Sequence, residues 1–216
     1  RVARMLGLDE AIASRQPFPG PGLGVRILCT DGGVRADADK QAALDAYNRS
    51  AGSKYELRAA PVRSVGVQGD HRAYRSLVIM AGKNKDWQQI RDDAREIPNH
   101  LEFVNRTAYL IDRDEIGDLV SARCRICHET AELLREVDDI VTSELMKPLP
   151  GKNASLIAQC FAVLLPVSTD GERYSIAIRA VVTSDFMTAQ SAVPGVDFPD
   201  GALERAAKRI RESAVA

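Results

Sequence analysis

No stretch of the 216-residue sequence stays apolar for the roughly 18 residues that a membrane-crossing helix needs. The first residues carry neither an initiator methionine nor the basic-then-apolar pattern of a secretion signal, so Arg1 reads as a cut end. Cysteine is sparse. Cys29, Cys124, Cys127 and Cys160 are too few and too scattered for a secreted disulfide framework, which makes a reducing cytoplasm the expected location. Charge of one sign is missing as well: 29 Lys and Arg against 30 Asp and Glu give a formal net charge of -1. Without a clustered basic excess, a duplex nucleic-acid surface is not expected. An anionic small molecule remains open, because a pocket needs only local positive charge or backbone donors.

What is present is the composition of a globular chain, 45% hydrophobic and 27% charged. A chain of this size buries roughly 70% of its unfolded surface and folds without staples, as one large domain or two small ones. Val2, Met5, Leu6, Leu8 and Ile12 suggest the tail of a helix. Arg15-Gln16-Pro17-Phe18-Pro19-Gly20-Pro21-Gly22-Leu23 must be a fixed extended loop, since its prolines exclude both helix and central strand. A strand is expected over Val25–Leu28, a helix over 36–50, strands over 61–67 and 74–80, a helix from 86 that Pro98 ends or kinks, and a strand over 104–111. The stretch 115–145 reads as mostly helical, 157–167 and 174–182 as strands, and 201–214 as an amphipathic helix.

An internal repeat organises these elements. Asp70 and Tyr74 recur as Asp170 and Tyr174, and the β segments 61–67 and 161–167 share that offset of 100 residues. An amphipathic helix follows each pair. Every copy reads as two or three antiparallel strands with one helix on a face, too small to stand alone, so that two copies would cover each other. The expected fold is therefore α+β: two related small antiparallel sheet-plus-helix subdomains in pseudo-twofold relation, with a helical insert between them. The expected boundaries are 1–28 for the preceding helix, the Pro/Gly loop and the first strand, 29–111 for the first subdomain, 112–150 for the insert, and 151–216 for a second subdomain lacking its last strand.

Three stretches carry a resemblance. They are the Pro/Gly loop 15–23; Val62-Arg63-Ser64-Val65-Gly66-Val67-Gln68-Gly69-Asp70 with Arg72 and Tyr74; and Arg179-Ala180-Val181-Val182-Thr183-Ser184-Asp185-Phe186-Met187-Thr188. Together they resemble the C-terminal part of glutamine-hydrolysing GMP synthases. The two later stretches fall in separate copies with the Leu134–Asp138 run between them, which is similar to the long, eukaryotic-type members. Such enzymes release ammonia from glutamine, adenylate xanthosine monophosphate (XMP) with ATP, and displace AMP with the ammonia to give GMP. The resemblance implies a dimerisation and substrate-orienting portion of that enzyme. Its partners would be XMP or GMP in a partial site, the ATP-pyrophosphatase and glutaminase domains, and its own sister subdomain, with room for a homodimer.

The family's SGGxDS phosphate loop does not occur in the sequence, nor does a glutaminase domain with its Cys–His–Glu triad. No catalytic residue, metal ligand or cofactor is assigned to this chain; ATP and Mg2+ belong to the complete enzyme. The implied XMP contacts are Pro19, Gly20, Gln68, Asp70 and Gln159. On physical grounds alone, the Pro/Gly loop could be a stiff connector or an anion-facing concavity, with Gly20 and Gly22 allowing close backbone approach. Asp70 could equally cap a turn. A free-standing interaction module that has lost catalysis is the alternative function.

Cys124-Arg125-Ile126-Cys127-His128 has the spacing of a haem-attachment motif and three soft zinc ligands. A long helical stretch around it and the lack of a second ligand pair favour two helix cysteines and a surface histidine, with a redox or metal protein as the rival. Trp87 reads as a core or interface anchor. Arg205, Lys208, Arg209 and Arg211 read as a solvated helix face.

Overall fold

The computed structural model describes residues 2–9, 22–68, 71–83, 85–183 and 189–213. A short helix, α1 (Val2–Met5), and a 3-10 turn (Leu23–Arg26) come first. The apolar run Val25–Leu28 is thus mostly a turn: the Ile27 amide is tied back to the Gly24 carbonyl, and only Ile27 forms a bridge, parallel to Leu164.

Asp37 starts α2 (Ala38–Ser50), its carboxylate accepting from the Asp39 and Lys40 amides that a helix start leaves unpaired. β1 (Glu56–Gln68) and β2 (His71–Ala81) make a long antiparallel hairpin. Its register slips between Ala59 and Arg63, around Pro61, which has no N–H for the ladder. Asp86 caps α3 (Trp87–His100), and Pro98 sits in that helix's last turn. β3 (Val104–Tyr109) then lies parallel to β2. Sequence alternation suggested antiparallel strands only, but a helix between two neighbouring strands lets the chain return in the same direction.

The segment after Glu115 is extended, not helical, as far as Ile126. Its backbone groups are claimed from far along the chain. β4 (Val120–Ser121) pairs with a later strand, Ala122 donates to Pro166, and Cys124 exchanges two hydrogen bonds of 3.1 and 2.9 Å with Thr30. The helix α4 (His128–Leu145) begins only where Thr130 Oγ1 accepts the Cys127 amide at 3.1 Å. β5 (Gln159–Leu165) follows, then β6 (Val167–Ser168), which is the partner of β4, and β7 (Ser175–Val182), antiparallel to β5 without a slip. β8 (Gln190–Ser191) lies on β7, and α5 (Ala202–Glu212) is the last element.

The order helix, strand, strand, helix occurs twice, as α2-β1-β2-α3 and as α4-β5-β7-α5. Each sheet has two helices on one face. On the first, Leu57, Ala59, Val78, Met80 and Val104 pack under Leu44, Ile90 and Ile97. On the second, Cys160, Ala162 and Leu164 pack under Leu134, Val137, Val141 and Ala206. The helix between the two units, α4, therefore covers the second sheet as α2 covers the first.

Strand alternation sends the neighbouring residues to the opposite faces, and these meet. Ala60, Leu77, Val62, Ile79 and Ala108 from the first unit share one apolar cluster with Leu165, Val163 and Ala177 from the second. The result is helices, sheet, sheet, helices, with a seam of small and aliphatic side chains in the middle. Trp87, half-buried, touches both helix-side clusters and stacks edge-on to Tyr109 at 5.5 Å, as expected of an anchor. Among the described residues, no helix is long and apolar enough to cross a membrane.

Candidate functional site

The hairpin that carries Val62–Gln68 is fastened to β3 by two side chains. Asn105 Nδ2 donates to the Ser64 carbonyl at 2.9 Å and to the Ala73 carbonyl at 2.7 Å, reaching one strand and then the other. It can do so because Gly66 has no side chain: a Cβ there would stand 2.6 Å from the Asn105 side chain. Next along β3, Arg106 Nε donates to the Val65 carbonyl at 3.0 Å.

In the second unit, Gln159 stands opposite Val181, and Phe161 opposite Arg179. Alternation from Val163 and Leu165, both in the seam, puts Gln159 and Phe161 on the seam face as well, with Arg179 beside them. The Arg179 guanidinium lies 5.7 Å from the centroid of the Phe161 ring, a favourable cation–π distance. Arg26 lies 5.9 Å from the same ring. It is buried, and its charge is answered by Asp138 at 2.5 Å, whose Oδ1 also accepts the Ala162 amide at 2.8 Å. Among the described residues, Arg179 has no such partner. Burial, and then the charge of Arg106, lower its pKa from the ordinary arginine range. Among the described residues, no carboxylate pairs with Arg106 or Arg179. The seam is thus apolar at Leu77 and Leu165 and becomes cationic where Arg106 and Arg179 approach each other.

Of the residues the sequence singled out, Gln159 lies directly across from the Arg179–Thr183 stretch. Gln68 closes β1, paired through its backbone with His71. Pro19, Gly20 and Asp70 lie outside the described residues, as do Gly69 and Ser184–Thr188. Arg26, Asn105 and Arg106 were not singled out. No spacing in the sequence connects Asn105 to Ser64 or Arg26 to Asp138; only the folded topology does.

Cys124 and Cys127 are not in the middle of a helix. Cys124 is buried in the extended segment, where burial above all, and then Cys29 and Cys127, push its thiol up to about 11. Cys127 and His128 stand exposed at the start of α4, with His128 Nε2 3.8 Å from Glu132. Among the described residues, no three His, Cys, Asp or Glu side chains converge as metal ligands. No chemical step is therefore assigned to a metal here.

The basic run on α5 is more than a solvated face. Arg205 Nε and Arg209 Nη1 reach Glu144 of α4 at 3.1 and 2.8 Å, and Lys147 joins them at 3.0 Å. Arg211 pairs with Asp112 at 3.0 Å. Lys208 alone stays with its own helix, 3.8 Å from Glu212. Arg205 and Arg209, four residues apart, lie on one stripe of α5, and that stripe faces Glu144, the buried carboxylate of the neighbouring helix.

No family model matches the chain. A probable glutamine-hydrolysing GMP synthase of Caenorhabditis elegans is 29% identical in an alignment covering 97% of this chain and 37% of its own length. A second, from Leptospira interrogans, is 32% identical over 86% of this chain and 30% of its own length. The GMP synthase of Dictyostelium discoideum is 27% identical over 98% of this chain and 35% of its own. The chain spans about a third of the length of these curated relatives.

Proposed function

We propose, from the premise that this chain belongs to the GMP synthase family as a GMP synthase-like domain, that it orients the acceptor nucleotide, XMP, and holds two sister units together for that purpose. The glutaminase and ATP-pyrophosphatase chemistry would be supplied by domains or subunits that this sequence does not include. The contacts to XMP would come from Pro19 and Gly20 of the Pro/Gly loop, from Gln68 and Asp70 at the hairpin turn, and from Gln159.

One observation supports the reading above the others. Gln159 lies across the ladder from the Arg179–Thr183 stretch, and Arg106 ties the hairpin of Val62–Gln68 to the same end of the seam. Residues from both units thus approach one place. A nucleotide held there would have its purine and phosphate fixed by separate units, and positioning of this kind lowers a reaction barrier by several kcal/mol without any acid, base or nucleophile. Pairing within one chain supplies both halves, and a homodimer would add a further level of the same contact.

The test uses the chain itself. Purified protein given XMP, ATP and ammonia should form no GMP, and measurable turnover would contradict the assignment of the chemistry to other domains. In an amide NMR titration with millimolar XMP, the Gln159 side-chain amide and the backbone of the 65–74 hairpin should shift together. The nucleotide reading falls if both stay still at ~10 mM XMP, a concentration that would fill most of a site with a Kd near 1 mM.

A further inference from the structure

The two arginines at the end of the seam have a role that the nucleotide reading does not assign. Ala108 and Ala177 both pack in the cluster between the sheets. Arg106 lies two residues before Ala108 on β3, and Arg179 two residues after Ala177 on β7, so alternation sets both side chains on the faces that meet. Phe161 carries the Arg179 guanidinium against its ring at 5.7 Å, a contact that uses none of its N–H donors in a hydrogen bond. The third cation of the group, Arg26, is neutralised by Asp138, so the net positive charge belongs to Arg106 and Arg179. The Val65 carbonyl takes the Nε proton of Arg106 and leaves its terminal nitrogens for another acceptor.

Arg179 is partly desolvated and is repelled by the exposed Arg106 near it, and the sequence has 30 carboxylates from which a counter-ion could have been placed. None of those described pairs with either arginine. We propose that Arg106 and Arg179, facing one another across the seam beside Phe161, form a binding site for a phosphate-class dianion. The planar fork of each guanidinium matches the edge of a tetrahedral oxyanion, and two forks from opposite sheets would grip it from two sides. The inference stands on these side chains and not on the nucleotide reading, since a free phosphate and a nucleotide phosphate present the same oxygens.

The arginine Nε–Hε signals of the intact chain give the test, with inorganic phosphate, XMP and xanthosine as separate probes at matched ionic strength. Phosphate and XMP should each shift the Arg106 and Arg179 signals, while xanthosine, which has no phosphate, should leave them in place. Arg179→Gln should weaken phosphate binding roughly tenfold and Arg179→Lys less, because a point charge keeps the attraction and loses the fork. A shift with phosphate but none anywhere with XMP supports the anion site and removes the nucleotide reading. A shift at Gln159 with XMP while both arginines stay unmoved by either anion does the opposite. Arginine signals unmoved by all three probes overturn the anion site, and this result needs no variant to fold.

Discussion

Arg26 Nη1 lies 2.5 Å from Asp138 Oδ1, a contact that joins the 3-10 turn at the start of the chain to the middle of α4. The Asp138 carboxylate also holds the Ala162 amide of β5, so one acid fixes a turn, a helix and a strand. Arg26 is buried, and removing its acidic partner Asp138 leaves a charge with nowhere to be solvated. Asp138→Ala should cost about 3–5 kcal/mol, the usual result of orphaning a buried ion. With a urea m-value of about 2 kcal/mol/M, the unfolding midpoint would fall by about 2 M. Replacing both residues by apolar ones of similar volume should recover most of the loss. An Asp138→Ala protein with an unchanged midpoint would show that Arg26 is solvated after all.

Gly66 and Asn105 form a second pair whose coupling can be measured. A methyl group at Gly66 would meet the Asn105 side chain at 2.6 Å, which displaces the clamp on Ser64 and Ala73. Gly66→Ala should therefore destabilise the protein by about 1–3 kcal/mol, the range for forcing extra volume into a filled site. In an Asn105→Ala background the same substitution should cost almost nothing, because the obstacle is gone. A double-mutant cycle reads the difference directly. Equal costs in the two backgrounds would refute the clamp.

The helix-strand-strand-helix order was legible because strand alternation and helix periodicity both repeat; the tyrosine spacing was a poorer guide, since Tyr74 lies inside β2 and Tyr174 just before β7. The extended segment around Cys124 was not legible. Val120, Ile126 and Leu133 can be placed on a helix as easily as on a strand, and what decides is the distant backbone of Thr30 and Pro166. The parallel direction of β3 was hidden for a similar reason, since alternation gives a strand's faces and not its heading. At the candidate site, the stretches 62–70 and 179–188 are marked by the family resemblance, and Gln159, unremarkable as a lone residue, is picked out only by it. Arg26, Asn105 and Arg106 are not, because their partners are decided by topology and no local pattern marks them.

Thiol reactivity should divide the four cysteines into pairs. Cys29 and Cys127 are exposed, whereas Cys124 and Cys160 are buried, their thiols pushed up to about 11 and about 12, in each case chiefly by burial. The thiolate is the reactive form, so at neutral pH the buried pair is both shielded and protonated. A disulfide reagent such as DTNB should label Cys29 and Cys127 quickly in the native protein and all four cysteines only in denaturant. Fast labelling of Cys124 would mean that the extended segment opens readily.

Glu144 gives a pH dependence with a definite sign. It is the one buried acid of α4, and Lys147 first, with Arg209 and Arg205, holds its carboxyl down at about 2 against an ordinary 4.5. A depressed pKa means that the folded state favours the charged form, so the unfolded chain binds the proton more tightly. The stabilisation is complete above about pH 4.5 and is lost as pH falls toward about 2, where the folded carboxylate also becomes protonated. The arginines that hold it are about half exposed, which limits the effect through solvent screening. Glu144→Gln should lower stability at pH 7 by about 2 kcal/mol, less than the loss of a fully enclosed pair. The variant should also flatten the stability profile between pH 4.5 and 2, which chemical denaturation at a series of pH values would show. Wild-type and variant profiles that run parallel through that window would mean that the α4–α5 contact rests on Leu145 and Ala206 packing, with the carboxylate contributing nothing to it.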